Sequence, residues 1–411
     1  MTDARRTGPW CIVGPTHPFR GGIPRHTTLL TDAAAETGID TQLVTFTRQY
    51  PGWLYKGASD RDPDQLSPKV ARTERILDSL NPVTWRRGAR LIGHTSPRAM
   101  VVVWWHPFFA PMVATLLRQV RRRSPSTIQL ALCHNVLPHE SSPVDRRLTR
   151  TALAPVDGLV VHAESQARIA RDLVGDRPTL VTPHPTYTFS PEVLAARRPR
   201  DDTVRLLFFG LVRHYKGVDV LLRALPRVLR ERPVHLVIAG EFWDRPEDHR
   251  ALARTLGVER HVEFRAGYVP DDELPRLFGT TDLVVAPYRS ATQSGAVEMA
   301  FGAGLPVVAS RVGGLAHQVR DGTNGLLVPP DDPEALSRAL LDATAAPMLD
   351  RLTAGARAPE TVHTWTDLVG DIDGMVTELD ARGRAAPSTV PGPVQGSTGA
   401  RGPEIRRGAG A

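Results

Sequence analysis

The stretch RLLFFGLVRHYKGVDVLLRAL, residues 205–225, decides the fold of this chain. After Arg205 it has a short apolar run that ends at Gly210, then a basic turn and an amphipathic segment of helical period. An apolar strand followed by such a helix is the repeating unit of a parallel sheet that helices cover on both faces. The stretch therefore predicts an α/β protein.

The same unit recurs over most of the 411 residues. Buried strands are predicted at 10–14, 101–105, 130–133, 158–161, 205–210, 235–240, 262–267, 282–287 and 305–310, and amphipathic helices at 24–36, 110–123 and 163–174. The pattern pauses at 183–193 and 197–202, where prolines and charges replace it. We therefore predict two Rossmann-like, doubly wound domains that face each other across a cleft, with ligands at the carboxyl ends of the strands.

The domain boundaries follow from these pauses in periodicity. The first domain is predicted over 1–190, a linker over 191–203, the second domain over 204–358, a helix that packs across the domains over 359–382, and a disordered tail over 383–411. The tail is rich in Gly, Pro, Ala and Ser and has no periodicity, which is typical of disorder.

Composition excludes several classes of protein. The chain has 51 Lys and Arg against 44 Asp and Glu, a net charge of +7 that favours anionic partners. No segment reaches the roughly 18 apolar residues of a membrane span, and Cys11 and Cys133 lie in apolar runs without the spacing of a disulfide framework or zinc site. An integral membrane protein and a disulfide-stapled secreted module are excluded, and a cytoplasmic location is expected. Scattered basic residues and the lack of a recognition motif disfavour nucleic-acid binding.

The first candidate ligand site is the loop in GPTHPFRGGIPRHTTLL, residues 14–30, where Gly21 and Gly22 separate a strand from a helix. Glycines let the backbone approach a ligand, and the helix start offers unpaired N–H groups to an anion. A tight turn whose glycines only relieve strain explains the same residues equally well. The loop lacks the G-x-G-x-x-G fingerprint of dinucleotide binding.

Basic and small residues follow two strands of the second domain. Arg213 and Lys216 come after Gly210, and Lys216 is one of three lysines in the chain, so a site for phosphate is favoured over a solvated basic turn. In residues 286–314 a helix is predicted to start at Ser294 or Gly295, which suits a diphosphate. Glu298, one turn later, is placed to accept hydrogen bonds from ribose hydroxyls, although the helix dipole alone also favours an acidic residue there.

Polar residues also follow two strands of the first domain. His134, Asn135, His139 and Glu140 are crowded after the strand at 130–133, which favours a functional role at the mouth of the cleft. His106 follows the strand at 101–105 and is equally consistent with a structural histidine in an aromatic shell. These residues, apart from His134, are our candidates for the acceptor side of the cleft.

Taken together, these blocks resemble glycosyltransferase family 4, the retaining nucleotide-sugar-dependent transferases with the GT-B fold. The resemblance spans about residues 8–380 and includes a glycine pair followed by an Asp-Gly and Asn-Gly-Leu-Leu-Val block, RVGGLAHQVRDGTNGLLVPPDDPEAL, at 311–336. It implies that the first domain binds the acceptor and the second the donor. It also implies transfer of a sugar from a nucleotide diphosphate to a hydroxyl acceptor, which is a glycan, a lipid-linked molecule or a small molecule.

The resemblance also implies a role for each candidate residue. Gly21 and Gly22 approach the donor phosphates, Ser294 and Gly295 open the helix that binds the donor, and Glu298 binds the ribose. Arg213 and Lys216 neutralise the diphosphate, and His134 lies near the transferred sugar, so these three are the expected catalytic residues. The nucleotide sugar is a co-substrate, and no cofactor and no metal are expected, since the sequence shows no cluster of metal ligands near these motifs.

Two positions depart from the family pattern. Ser290 replaces the first of two glutamates eight positions apart, and Leu211 replaces the Arg that follows the strand-end glycine, with Arg213 as the substitute. The missing glutamate keeps open a second interpretation, a nucleotide-sugar-binding protein with the same fold and little or no activity. An epimerase or phosphorylase ranks lower, because no pyridoxal-binding lysine is evident.

Three basic, partly apolar segments lie in the first domain, at 83–91, 116–124 and 144–154. Such surfaces bind anionic lipid, which suggests a peripheral contact with the inner face of the membrane. Solvated helix faces in an arginine-rich protein account for them at least as well.

Overall fold

The computed structural model describes residues 8–52, 59–62, 66–138, 141–187, 189, 202–358 and 361–385. Within these residues the chain forms two parallel sheets flanked by helices, which confirms the predicted α/β fold class. The predicted linker at 191–203 lies almost entirely outside the described residues, and so do 386–411 of the predicted tail.

The first sheet has the strand order β3-β2-β1-β4-β5-β6-β7. Its strands are β1 (Trp10–Val13), β2 (Thr41–Arg48), β3 (Thr73–Asp78), β4 (Ala99–Trp104), β5 (Ile128–Cys133), β6 (Gly158–Val161) and β7 (Thr179–Val181). The helices are α1 (Gly22–Glu36), α2 (Pro82–Thr95), α3 (Ala110–Arg123), α4 (Pro143–Leu153) and α5 (Glu164–Val174). Every residue of the central strands β1, β4 and β5 is buried, as expected for a sheet covered on both faces. Cys11 and Cys133 are free and buried in this core, which raises the pKa of both thiols.

The second sheet has the strand order β10-β9-β8-β11-β12-β13. Its strands are β8 (Val204–Phe209), β9 (Val234–Gly240), β10 (Val262–Ala266), β11 (Leu283–Ala286), β12 (Val307–Ser310) and β13 (Gly325–Val328). The helices are α6 (Val218–Glu231), α7 (Pro246–Thr255), α8 (Leu274–Gly279), α9 (Gly295–Gly302), α10 (Leu315–Gln318), α11 (Pro333–Thr344) and α12 (Ala346–Ala356). In both sheets the order reverses direction beside the first strand, the place where such folds bind ligands.

The last described helix, α13 (Trp365–Ala385), returns to the first domain and packs against α1, β5 and β7. Arg98, only 13% exposed, fixes it by donating hydrogen bonds to Asp373 at 3.1 Å and to Thr377 at 2.8 Å. The helix continues to Ala385, so the first three residues of the predicted tail are helical.

Strands with polar or short sequences were not predicted. These are β2 and β3, in which polar residues alternate with apolar ones or dominate, and the four- and three-residue strands β13 and β7. Three of these strands, β3, β7 and β13, lie at sheet edges, where one side is exposed and a continuous apolar run is not required. β2 lies inside the sheet, but its polar residues interrupt the apolar run although most of them are buried. The edge strand β10 was predicted, at 262–267.

Candidate active site

The carboxyl ends of the two sheets meet, and ion pairs join them. Arg20, which follows β1, donates from Nη2 to Glu241 after β9 at 2.8 Å, and its guanidinium lies 5.1 Å from the ring of Tyr268. Arg25 in the first turn of α1 pairs with Asp271 after β10 at 2.7 Å. All four charged side chains are less than 20% exposed, so solvent screens these pairs less than surface pairs.

Gly21 and Gly22 lie in the chain between these two arginines, whose side chains pair with the second domain. Gly21 has φ +109°, a conformation that favours glycine, so turn geometry accounts for it. Gly22 begins α1, and a Cβ atom built there meets no atom within 4 Å. Packing inside the described chain does not require glycine at that position, which is consistent with open space for a ligand at the helix start.

Lys216 ends the turn that follows β8. Its Nζ lies 3.3 Å from the hydroxyl of Tyr288 and 3.2 Å from where a Cβ of Gly210 would stand, so the ammonium covers the end of β8. Burial alone would lower the pKa of Lys216, but the hydroxyls of Tyr288 and Tyr215 raise it above its usual value. The side chain is half-buried and charged at neutral pH.

The amino terminus of helix α9 lies beside Lys216 and Tyr288. Ser294 caps it by accepting from the N–H of Val297 at 3.4 Å, and its Oγ lies 3.2 Å from the Tyr288 hydroxyl. Gly295 is the first residue of the helix, as expected. The first N–H groups of a helix have no partner within it and carry partial positive charge. A fixed cation and a helix terminus therefore converge on one position, which is the arrangement of an anion site.

Arg289 lies in the loop between β11 and α9 and holds that loop against the turn that follows β8. The sequence did not reveal this role of Arg289. Its N–H donates to the carbonyl oxygen of Tyr215 at 2.7 Å, and its guanidinium donates to the carbonyl oxygen of His214 at 2.8 Å. The guanidinium also binds both carboxylate oxygens of Asp219 at 2.8 Å. A bidentate arginine–carboxylate pair fixes orientation as well as position, so Lys216 stays beside α9.

Arg213 stands just before the turn that contains Lys216. Its guanidinium lies 4.1 Å from the ring centroid of Trp243, within the range of a cation–π contact. It has no carboxylate partner among the described residues, and stacking leaves the edges of the guanidinium available to phosphate oxygens.

Glu298 is buried beneath the amino terminus of α9, with 6% of its surface exposed. Gln318 donates to its Oε1 at 2.7 Å, and Thr186, from the segment that follows the first sheet, donates to its Oε2 at 3.1 Å. Burial raises the pKa of Glu298 to about 7, although both hydrogen bonds act to lower it. The carboxylate expected to bind ribose is thus already engaged within the protein.

His134 belongs to a group of four histidines, with the buried His26 and His184 and the half-buried His162. The sequence singled out His134 alone. The ring of His26 lies 4.5 Å from that of His134, 5.7 Å from that of His162 and 5.1 Å from that of His184. Burial, followed by the neighbouring imidazoles, lowers the pKa of His26 and His134 well below the usual value. Burial also lowers the pKa of His162 to about 4 and that of His184 to about 3, so all four rings are neutral at pH 7.

The candidates for the acceptor side have different surroundings. The side-chain oxygen of Asn135 accepts a hydrogen bond from Thr292 in the loop before α9, so this residue contacts the second domain. His106 is exposed, and its Nδ1 accepts from the N–H of Phe108 at 3.1 Å, which caps a short turn. His139 and Glu140 lie outside the described residues.

Comparison with known proteins identifies the family. Residues 203–345 match the family model described as "Glycosyl transferases group 1". A D-inositol 3-phosphate glycosyltransferase 1 from Catenulispora acidiphila is 32% identical over 314 residues, which cover 70% of this chain and 74% of that protein. The chain belongs to the group 1 glycosyl transferases.

A second relative matches over a shorter length, and a solved structure is similar at low sequence identity. A D-inositol 3-phosphate glycosyltransferase from Stackebrandtia nassauensis is 34% identical over 260 residues, and the chain spans only 58% of the length of that relative. The structure of Anabaena Alr3699/HepE in complex with UDP and glucose has a TM-score of 0.64 at 16% identity and covers 90% of this chain and 99% of that one. Such likenesses confirm the GT-B fold, with two facing Rossmann-like domains.

The buried Glu298 predicts a pH dependence of stability for this group 1 glycosyl transferase. Its pKa in the folded state, about 7, exceeds the ordinary 4.5, so its contribution to stability is full below pH 4.5 and is lost as pH rises through 7. This shift in the pKa of Glu298 corresponds to at most about 3 kcal/mol in the free energy of unfolding. Glu298→Gln, which cannot ionise, should therefore unfold at a higher temperature than the unmodified protein at pH 8, and at a similar temperature at pH 4.5.

Thermal unfolding followed by circular dichroism at several pH values measures this difference. Glu36→Gln is the matched control, because Glu36 is 67% exposed and forms a surface ion pair with Lys69. A Glu298→Gln variant whose unfolding temperature changes with pH in parallel with that of the unmodified protein contradicts the buried, proton-binding carboxyl.

Proposed function

We propose that this chain transfers a sugar, with retention of configuration, from a nucleotide diphosphate donor to a hydroxyl acceptor and needs no metal ion to do so. The observation that carries the proposal is the convergence of the Lys216 ammonium and the amino terminus of α9, joined through Tyr288 and Ser294. Family membership supports sugar transfer, and the name of the UDP complex of Anabaena Alr3699/HepE supports a nucleotide diphosphate in this fold.

The chemistry requires stabilisation of a leaving group. When the bond between sugar and diphosphate breaks, negative charge develops on the diphosphate oxygens. Lys216, the α9 N–H groups and Arg213 provide positive charge at fixed positions, and each such preorganised group is typically worth about 3–4 kcal/mol in the transition state. Side chains thus supply the charge that a metal ion supplies in other transferases, which is the basis for expecting metal independence.

The acceptor hydroxyl is proposed to attack from the side on which the nucleotide departs, with a diphosphate oxygen taking its proton. Gly21 and Gly22, held opposite the second domain by the pairs of Arg20 and Arg25, approach the diphosphate. Neutral His134 directly follows β5, in the same domain as these glycines. It serves as a hydrogen-bond partner for the transferred sugar and not as a fixed cation, because its pKa is well below neutrality.

The acceptor is proposed to bind on the first domain. The related proteins named for D-inositol 3-phosphate make this compound a reasonable member of an acceptor panel. Val83 and Val144 are 68% and 65% exposed at the starts of α2 and α4, among arginines, which supports the proposed contact with anionic lipid. No helix among the described residues is long and apolar enough to span a membrane.

A panel of uridine, guanosine, adenosine and thymidine diphosphate sugars tests the proposed function. Calorimetry should show binding of at least one donor, and incubation with that donor plus chelator should give slow release of the nucleoside diphosphate without acceptor. Binding without any release, with water or with the acceptor panel, favours the alternative of a nucleotide-sugar-binding protein, for which Ser290 is the motivating residue. Absence of binding at millimolar donor contradicts both interpretations.

Replacement of Lys216 tests the anion site. Lys216→Ala should lower kcat by about 10²–10³-fold, because one fixed positive charge next to the leaving group is lost. Lys69→Ala is the matched control, since Lys69 is 72% exposed and its ammonium pairs only with surface Glu36 among the described residues. Near-normal turnover by a folded Lys216→Ala protein removes Lys216 from the mechanism.

Replacement of His134 tests the sugar side of the cleft. His134→Ala should reduce turnover more than it weakens donor binding, because the ring is proposed to contact the sugar as it transfers and not the nucleotide. Turnover and the donor dissociation constant are measured together, with the exposed His261→Ala as control. A change in the dissociation constant alone would make His134 a donor-binding group.

A further inference from the structure

Three histidines from distant parts of the chain meet at the carboxyl edge of the first sheet. His26 lies in α1, and His134 and His162 follow directly after β5 and β6. One ring nitrogen from each lies within 4.8 Å of one from each of the others. His184, which follows β7, adds a fourth ring 5.2 Å from that of His162. We call His26, His134 and His162 the histidine cluster.

The histidine cluster contains ring nitrogens that nothing in the described chain satisfies. Both nitrogens of His26, and Nε2 of His134 and of His162, are buried without a hydrogen-bond partner among the described residues. A buried polar atom left unpaired costs about 1–3 kcal/mol. Four such atoms side by side indicate that a group outside the polypeptide pairs with them.

The tautomer of His162 shows which nitrogen is available. Its Nδ1 lies 3.1 Å from the carbonyl oxygen of Thr182. A carbonyl oxygen only accepts, so Nδ1 carries the proton and the buried Nε2 presents a lone pair to the cluster. A histidine that ligates a metal has this arrangement, with its second ring nitrogen held by a carbonyl. The hydroxyl of Thr182 donates to Asp371 at 2.5 Å, which helps to hold Thr182 in place.

The donor set selects the class of ion. Neutral imidazoles, without a carboxylate or a thiolate among them, suit zinc, cobalt, nickel or copper, whereas magnesium and calcium prefer oxygen ligands. Three imidazoles with one open position are a common zinc arrangement. We propose that His26, His134 and His162 bind one divalent transition-metal ion, with zinc as the reference ion.

The histidine cluster includes His134, which the proposed function places in contact with the transferred sugar. An ion bound there occupies Nε2 of His134, so metal binding and a sugar contact through that nitrogen exclude each other. This regulatory consequence rests on the proposed function, whereas the metal site itself does not.

Metal binding is measured on the whole chain after treatment with a chelator. We expect cobalt to give the visible d–d absorption of a site with few ligands, and we expect about one zinc ion per chain to remain after desalting. His26→Gln and His162→Gln should each weaken zinc binding at least tenfold, while His261→Gln, at an exposed histidine outside the cluster, should not. Zinc-edge X-ray absorption of the unmodified protein should show at least three imidazole ligands, a result that does not depend on the folding of any variant.

Two results overturn the metal site. One is a chain that retains no zinc and shows no cobalt absorption, in which case water occupies the cluster. The other is zinc bound equally well by the unmodified protein and by folded His26→Gln and His162→Gln. The activity assay is a separate arm: zinc should lower turnover and chelator should restore it, and zinc bound without loss of turnover supports the metal site while contradicting the role of His134.

Discussion

The pairing of β8 with β11 is the constraint on which the donor side of the cleft depends. Leu206 and Leu207 lie opposite Leu283 and Val284, so loops that are far apart in the chain leave the sheet side by side. Gly217 lets them touch: it has φ +68°, and a Cβ there would lie 2.0 Å from the carbonyl oxygen of the residue after β11. Any other residue would push the loops apart and separate the ammonium after β8 from the amino terminus of α9.

A second set of contacts fixes how the two sheets face each other. The pairs of Arg20 with Glu241 and of Arg25 with Asp271 join the start of α1 to loops after β9 and β10. A break at either pair leaves a charge in a partly buried place without its partner, which costs more than the loss of a surface pair. The glycines between the two arginines are therefore positioned by the second domain as much as by the turn that contains them.

The sequence predicted what local pattern controls. Continuous apolar runs located the central strands, and the small residues before α9 located its start at Ser294 and Gly295. Contacts between distant segments leave no local pattern. The contacts of Arg289 with the turn after β8, and those among His26, His134 and His162, were therefore not predicted. These histidines are far apart in the sequence. The parallel sheet, whose strands end at one edge, brings His134 and His162 together, and α1 adds His26.

The two sides of the cleft differ in charge near neutral pH. On the donor side the raised pKa of Lys216 keeps its ammonium charged near neutrality and the α9 terminus carries a partial positive charge, while the imidazoles of the first domain are neutral there. Glu298, with a pKa of about 7, lies between these extremes. A diphosphate bound at the amino terminus of α9 disfavours its ionised form, whereas ribose hydroxyls that donate to it favour that form. The two effects oppose each other, so the direction in which the donor shifts the pKa of Glu298 distinguishes a carboxylate that binds ribose from one that only supports the helix.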